Sequence, residues 1–101
     1  MPDFSTFATQ LGISFNNLGL LTEALTHRSY LNEHREYTGG HNERLEFLGD
    51  AVLELAATDF LFKKFPTKPE GELTAYRASL VNTVSLAESA QALGINDYLL
   101  L

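Results

Sequence analysis

Cysteine is absent from all 101 residues, which excludes disulfides, zinc–thiolate centres and a Cys nucleophile. Basic residues are scarce: seven Lys and Arg stand against thirteen Asp and Glu, for a net charge of −6. Phosphate affinity comes largely from Lys and Arg displacing counterions, so the chain is expected to be a poor non-specific binder of nucleic acid. A metal ion or a separate basic module would have to offset the repulsion. The first ten residues, "MPDFSTFATQ", lack a basic region followed by an apolar core, so no secretory signal is expected. No apolar run approaches the roughly 18 residues needed to span a bilayer. The expectation is a soluble cytoplasmic chain with no membrane partner. β-branched residues are few and never alternate usefully with polar ones, so strands are not expected.

The apolar fraction of 45% is ordinary for a globular core, and the length allows one small domain. The pattern is all-helical, punctuated by Gly and Pro. Asp3 or Ser5 can cap a first helix that stops at Gly12. Asn16 or Asn17 opens "LGLLTEALTHRSYL", where Leu18, Leu21, Ala24 and Leu25 recur at helical spacing. The polar "NEHREYTGGHN" predicts a loop. The longest helix should run from near Asn42 to just before Pro66, with "PTKPEG" as a connector. One or two further helices, with Glu70 and Glu72 near the start, should end at Gly94. The last segment, "INDYLLL", carries three leucines with nothing after them to cover them. It predicts a chain cut in mid-structure or a segment that docks on a partner.

The segment "HNERLEFLGD" places three carboxylates beside the most apolar stretch. At about 100° per residue, Glu43, Glu46 and Asp50 fall within roughly 60° of one another. Leu45, Leu48, Val52, Leu55 and Ala56 lie on the opposite side. Like charges one turn apart cost only about 0.2–0.5 kcal/mol per pair, so a solvated acidic face is tolerable. A hard-cation site suits the same geometry, since Mg²⁺ or Mn²⁺ binds through one or two carboxylates, waters and substrate phosphate. Spacing alone leaves both readings open. Phe47 lies beside the stripe and off the apolar face, where an aromatic ring marks a contact surface. Gly49 costs a helix interior about 1 kcal/mol relative to Ala, which suggests close packing or local distortion there.

Other residues favour structural roles. His27 suits a packed or turn-stabilising His better than a ligand contact, and His34 and His41 suit solvated loop positions better than a shared transition-metal site. Lys63, Lys64 and Lys68 fit a cationic helix end and a phosphate contact equally well. Arg77 and Asn82 are best explained by burial with internal hydrogen bonds.

"NERLEFLGDAVLELAATDFLF", with "LLTEALTHRSYLNE" before it and "GELTAYRASLVNTVSLAESAQALGI" after it, resembles the ribonuclease III family over almost the whole chain. The resemblance implies an all-α, ribonuclease III endonuclease-domain-like helical fold. Residues 1–101 would form a partial endonuclease domain, incomplete at the C-terminus. It also implies a Mg²⁺-dependent homodimeric endonuclease, with Mn²⁺ able to substitute and no small organic cofactor. The implied activity is double-stranded RNA cleavage in RNA processing, with an rRNA precursor, a messenger or a foreign duplex as substrate.

By matched position, Glu46 and Asp50 would be the catalytic metal ligands, and Glu43 and Glu70 auxiliary acids lining the cutting centre. Phe47 would plug into the partner subunit. The sequence departs from the family pattern by stopping before the helix that carries a second acidic pair, and by lacking the usual double-stranded-RNA-binding domain. The 101-residue chain alone is therefore expected to cleave RNA weakly or not at all. Two alternatives are a non-catalytic ribonuclease III-like protein that dimerises or binds RNA, and an unrelated helical metal-binding or interaction domain.

Overall fold

A computed structural model describes residues 1–101. It contains six α-helices, one short 3₁₀ turn and no strand: α1 Phe4–Leu11, α2 Leu18–Ala24, α3 Arg28–Glu33, α4 Glu43–Lys64, α5 Glu70–Leu80, α6 Thr83–Leu93, then Ile95–Tyr98. The all-α expectation holds.

Local chemistry sets most helix ends. The Asp3 carboxylate accepts the Ser5 and Thr6 N–H groups, and Gly12 closes α1 at φ 70°, a left-handed conformation that glycine adopts without steric cost. Asn17 caps α2. Asn82 serves two helices at once. Its amide nitrogen donates to the Ala78 and Ser79 carbonyls at the end of α5, and its oxygen accepts from Ser85 N–H to start α6. Asn82 is exposed, so its expected hydrogen bonds are present but its expected burial is not.

Residues 18–31 do not form one helix. The chain breaks between Leu25 and His27, because the backbone groups that would continue the helix are paired elsewhere. Leu100 N–H donates to the Leu25 carbonyl, His27 N–H donates to the Leu100 carbonyl, and Asn42 N–H donates to the Thr26 carbonyl. Thr26 is fully buried; its hydroxyl donates to the Thr22 carbonyl at 2.6 Å and lies 3.2 Å from the Tyr37 hydroxyl. No buried side-chain nitrogen or oxygen lacks a partner, and the backbone groups freed at the break are paired as above, as a helix interruption in a packed region requires. His27 then caps α3, its Nδ1 accepting Ser29 N–H, which is the turn-stabilising role its position suggested.

The core gathers Phe4, Phe7, Ala8, Leu21, Leu25 and Leu100. The C-terminal leucines are therefore covered from within the chain. Tyr98 stacks on Phe7 at 4.2 Å between ring centres, and Leu100 is only 5% exposed. The uncovered tail expected from the sequence is overturned at Leu100 and holds only for Leu101, which stays exposed.

α4 lies outside this core. Of its residues only Leu61 is buried, while Leu48, Val52 and Leu55 are exposed; the apolar face opposite the acids has no cover within the chain. The molecule is accordingly elongated, 54 × 26 × 22 Å with a radius of gyration of 16.3 Å, against about 13 Å for a compact chain of this length. Packing against α4 comes mainly from α5. A Cβ added at Gly49 would meet nothing within 4 Å, so the close packing that Gly49 suggested is absent here.

Candidate acidic site on the central helix

α4 begins at Glu43, with Glu43 and Glu46 in its first turn and Lys63 and Lys64 in its last. Carboxylates at the positive end of the helix dipole and ammonium groups at the negative end are each favourable. Glu43, Glu46 and Asp50 share one face by helical spacing, and so does Glu54, one turn beyond Asp50. Sequence inspection passed over Glu54, although the same spacing rule reaches it.

The four acids differ in what they touch. Glu43 pairs with Arg28 of α3 at 3.4 Å, both groups being more than half exposed. Glu54 pairs with Arg77 of α5 at 3.8 Å, and Arg77 also donates to the Thr58 hydroxyl at 2.9 Å. Glu46 and Asp50, between those two pairs, have no hydrogen bond or ion pair to any side chain, and both are exposed. The middle of the stripe is two free carboxylates, and its ends are each neutralised by an arginine from another helix. Arg77 thus fastens α5 to α4, and it is two-thirds buried rather than fully so.

No group of three or more His, Asp or Glu side chains converges at metal-holding distance. Glu70 does not stand beside the stripe. It lines a small cleft with Thr58, Leu61, Phe62, Leu73, Thr74 and Arg77, and Thr58 lies about two turns, or about 12 Å, beyond Asp50 along α4. Phe47 is 85% exposed, as its place off the apolar face indicates. It borders an open groove of about 820 Å³ that Glu23, His41, Glu43, Arg44 and Leu48 also line.

The remaining candidates have local partners. Lys63 donates to Asp59 at 3.0 Å, Lys64 sits over the Phe60 ring, and Lys68 pairs with Glu72 at 3.6 Å. Lys63 and Lys64 stand at the cationic end of α4, whereas Lys68 lies in the connector before α5. His41 Nδ1 accepts Glu43 N–H. His34 is half-buried and stacked on Tyr30 at 3.8 Å, so it is not the solvated loop residue expected.

Comparison with known proteins bears on family and fold. Residues 17–101 match the family model described as ribonuclease-III-like. The chain is 52% identical over 98 residues to a Ribonuclease 3 of Bacillus cytotoxicus, covering 97% of this chain and 40% of the relative. It is 50% identical over 95 residues to that of Latilactobacillus sakei, covering 94% and 41%. The chain thus spans about two-fifths of the length of these curated relatives. Among solved structures, two of the nuclease domain of ribonuclease III from Campylobacter jejuni superpose with TM-scores of 0.85 and 0.83, both at 40% identity. They cover 98% and 100% of this chain and 65% of theirs, and the first is described as flexible in a region involved in dimer formation. With the family model matched from α2 to the last residue and relatives at half identity over nearly every position, the chain belongs to the ribonuclease III family.

Proposed function

We propose that this chain supplies metal-holding carboxylates of a Mg²⁺-dependent endonuclease that cleaves double-stranded RNA in RNA processing. The observation that carries the reading is the pair of free, exposed carboxylates, Glu46 and Asp50, set between two arginine-anchored neighbours. The donor set fits Mg²⁺, or Mn²⁺ in its place, since these ions keep several waters and take one or two carboxylates plus phosphate oxygens. When bound, such an ion supplies an activated water and neutralises charge on the phosphate. Glu46 and Asp50 hold it, and they can do so because no competing cation engages them. Glu43 stays occupied by Arg28 and acts as an auxiliary acid at the rim. Glu70, at the start of α5 beside Thr58 and away from Glu46 and Asp50 in a single copy, serves the centre from the second copy of a homodimer. Double-stranded RNA would be met through shape and 2′-hydroxyl contacts.

The natural gene product that carries this chain tests the reading. Cleavage of long duplex RNA in Mg²⁺ should fall by about 100-fold or more in Asp50→Asn and in Glu46→Gln, the scale of losing one preorganised electrostatic group. Undiminished cleavage by Asp50→Asn refutes it. The isolated 101-residue chain, with only two free carboxylates on its stripe, should cut weakly or not at all.

A second reading rests on the exposed apolar face of Leu48, Val52 and Leu55, with the exposed Phe47 ring beside the acids, apolar surface suited to a partner copy. A non-catalytic protein that dimerises or binds RNA through this face predicts association and RNA binding untouched by Glu46→Ala or Asp50→Ala.

A further inference from the structure

We infer that Asn42 is a positioning residue, the tether that sets where Glu46 and Asp50 stand; the inference rests on the metal-carboxylate reading above. Asn is among the best helix N-caps, its side-chain oxygen normally accepting an N–H of the first turn. At the start of α4 that bond is absent, although α4 is the longest helix. The other asparagines at helix starts, Asn17 and Asn82, do form it.

The Asn42 amide turns away from its own helix instead. Its Nδ2 donates to the Ala24 carbonyl at 3.0 Å, and its backbone N–H donates to the Thr26 carbonyl at 2.9 Å. Two donors from one residue thus grip the end of α2 and the break that follows it. The third polar contact runs the other way: the Asn42 carbonyl accepts Glu46 N–H at 2.8 Å. Glu46 is therefore one hydrogen bond from the tether, and Asp50 is one helical turn further on.

The anchor itself is firm. Thr26 is fully buried, and its neighbours on both sides are hydrogen-bonded to Leu100. The same α2–α3 junction starts α3 with Arg28, which pairs with Glu43. α4 contributes almost nothing to the core, so apolar packing does not set the height and rotation of its first turn. Directional contacts do: Asn42 makes two hydrogen bonds outside the helix, and the exposed Arg28–Glu43 pair adds a weaker one.

Asn42→Ser removes the side-chain half of the tether, because Ser is an equally good cap but is too short to reach Ala24, while the backbone bond to Thr26 stays. In the natural gene product, Mn²⁺ titration followed by electron paramagnetic resonance reads affinity, with Glu46→Gln as control. Asn42→Ser should bind Mn²⁺ about tenfold more weakly, the scale of outer-shell changes at metal sites, while its melting temperature stays within a few degrees of wild type. Amide exchange at Glu46, whose N–H is bonded to the Asn42 carbonyl, should quicken by a similar factor, with exchange in α5 unchanged. Wild-type affinity in Asn42→Ser overturns the inference, whether or not the melting temperature drops. If Glu46→Gln leaves Mn²⁺ binding intact, the metal reading has failed. Exchange then decides the tether separately, and an unaltered rate at Glu46 overturns it.

Discussion

Leu100 offers the sharpest test of how the chain holds together. It is one of six residues in the buried cluster, contributed from the far end of the chain to a core built by α1 and α2. Truncating a buried Leu to Ala costs about 2–5 kcal/mol, and a site near a chain end can partly collapse, so about 2–3 kcal/mol is expected. Both backbone bonds of Leu100, to Leu25 and from His27, survive the substitution; the loss is packing alone. For a domain of this size about 1 kcal/mol shifts the melting temperature by roughly 4–8 °C, which predicts a fall of about 10–20 °C. Leu101→Ala is the matched control, since Leu101 is 67% exposed and surface changes usually stay within about 0.5 kcal/mol. Thermal melts by circular dichroism compare the two. If Leu100→Ala and Leu101→Ala melt together, the tail does not dock as described, and the explanation of the break at Thr26 fails with it.

Three further outcomes follow from the same geometry. The Thr6 hydroxyl, then the Thr6 and Ser5 N–H groups, hold the Asp3 carboxyl below its ordinary value of 3.8. Its contribution is therefore complete above that value and lost as pH falls through the lower folded one. The melting gap between wild type and Asp3→Asn should be full at pH 5–7 and close in stronger acid; a gap independent of pH would count against the cap. Phe47→Ala should weaken self-association measured by sedimentation equilibrium while changing the monomer's stability by no more than about 0.5 kcal/mol, and unchanged association would remove Phe47 from the contact. Arg77→Lys keeps the charge but loses the hydrogen bond to Thr58, a cost of about 1 kcal/mol in urea unfolding, whereas Glu54→Gln should cost less because exposed ion pairs contribute little; the reverse order would show that the ion pair, not the hydrogen bond, fastens α5.

What the sequence reveals and conceals divides by distance along the chain. Asp3 with Gly12, Pro66 with Pro69, and Gly94 act within a few residues of themselves, so the bounds of α1, the end of α4 and the end of α6 are readable directly. The break between α2 and α3 is not, because Leu25, Thr26 and His27 look helical until Leu100 and Asn42 arrive to take their backbone groups. For the same reason the final leucines look uncovered: the rings that receive them, Phe4 and Phe7, lie at the opposite end. Helical period correctly separates the acids of α4 from Leu48, Val52 and Leu55, but it reports only which residues share a face. It does not say that anything covers them. The stripe of Glu43, Glu46 and Asp50 was legible for being local, whereas the arginines that occupy Glu43 and Glu54 come from α3 and α5 and leave no trace in spacing.

These contrasts have a physical consequence for how stability and site geometry relate. Apolar burial is strong but non-directional, and in this chain it is concentrated in α1, α2 and the C-terminal tail. The acids ride on a helix with one buried residue, Leu61, so burial leaves the helix free to rotate or slide. Direction comes from a few polar contacts: Asn42 to Ala24 and Thr26, Arg28 to Glu43, and Arg77 to Thr58 and Glu54. The repulsion within the stripe, a few tenths of a kcal/mol per pair, is small enough for contacts of this kind to overrule. Changes in the Phe7–Leu100 cluster should therefore lower stability with little effect on the folded stripe. Changes at the polar contacts should shift the stripe at modest cost in stability.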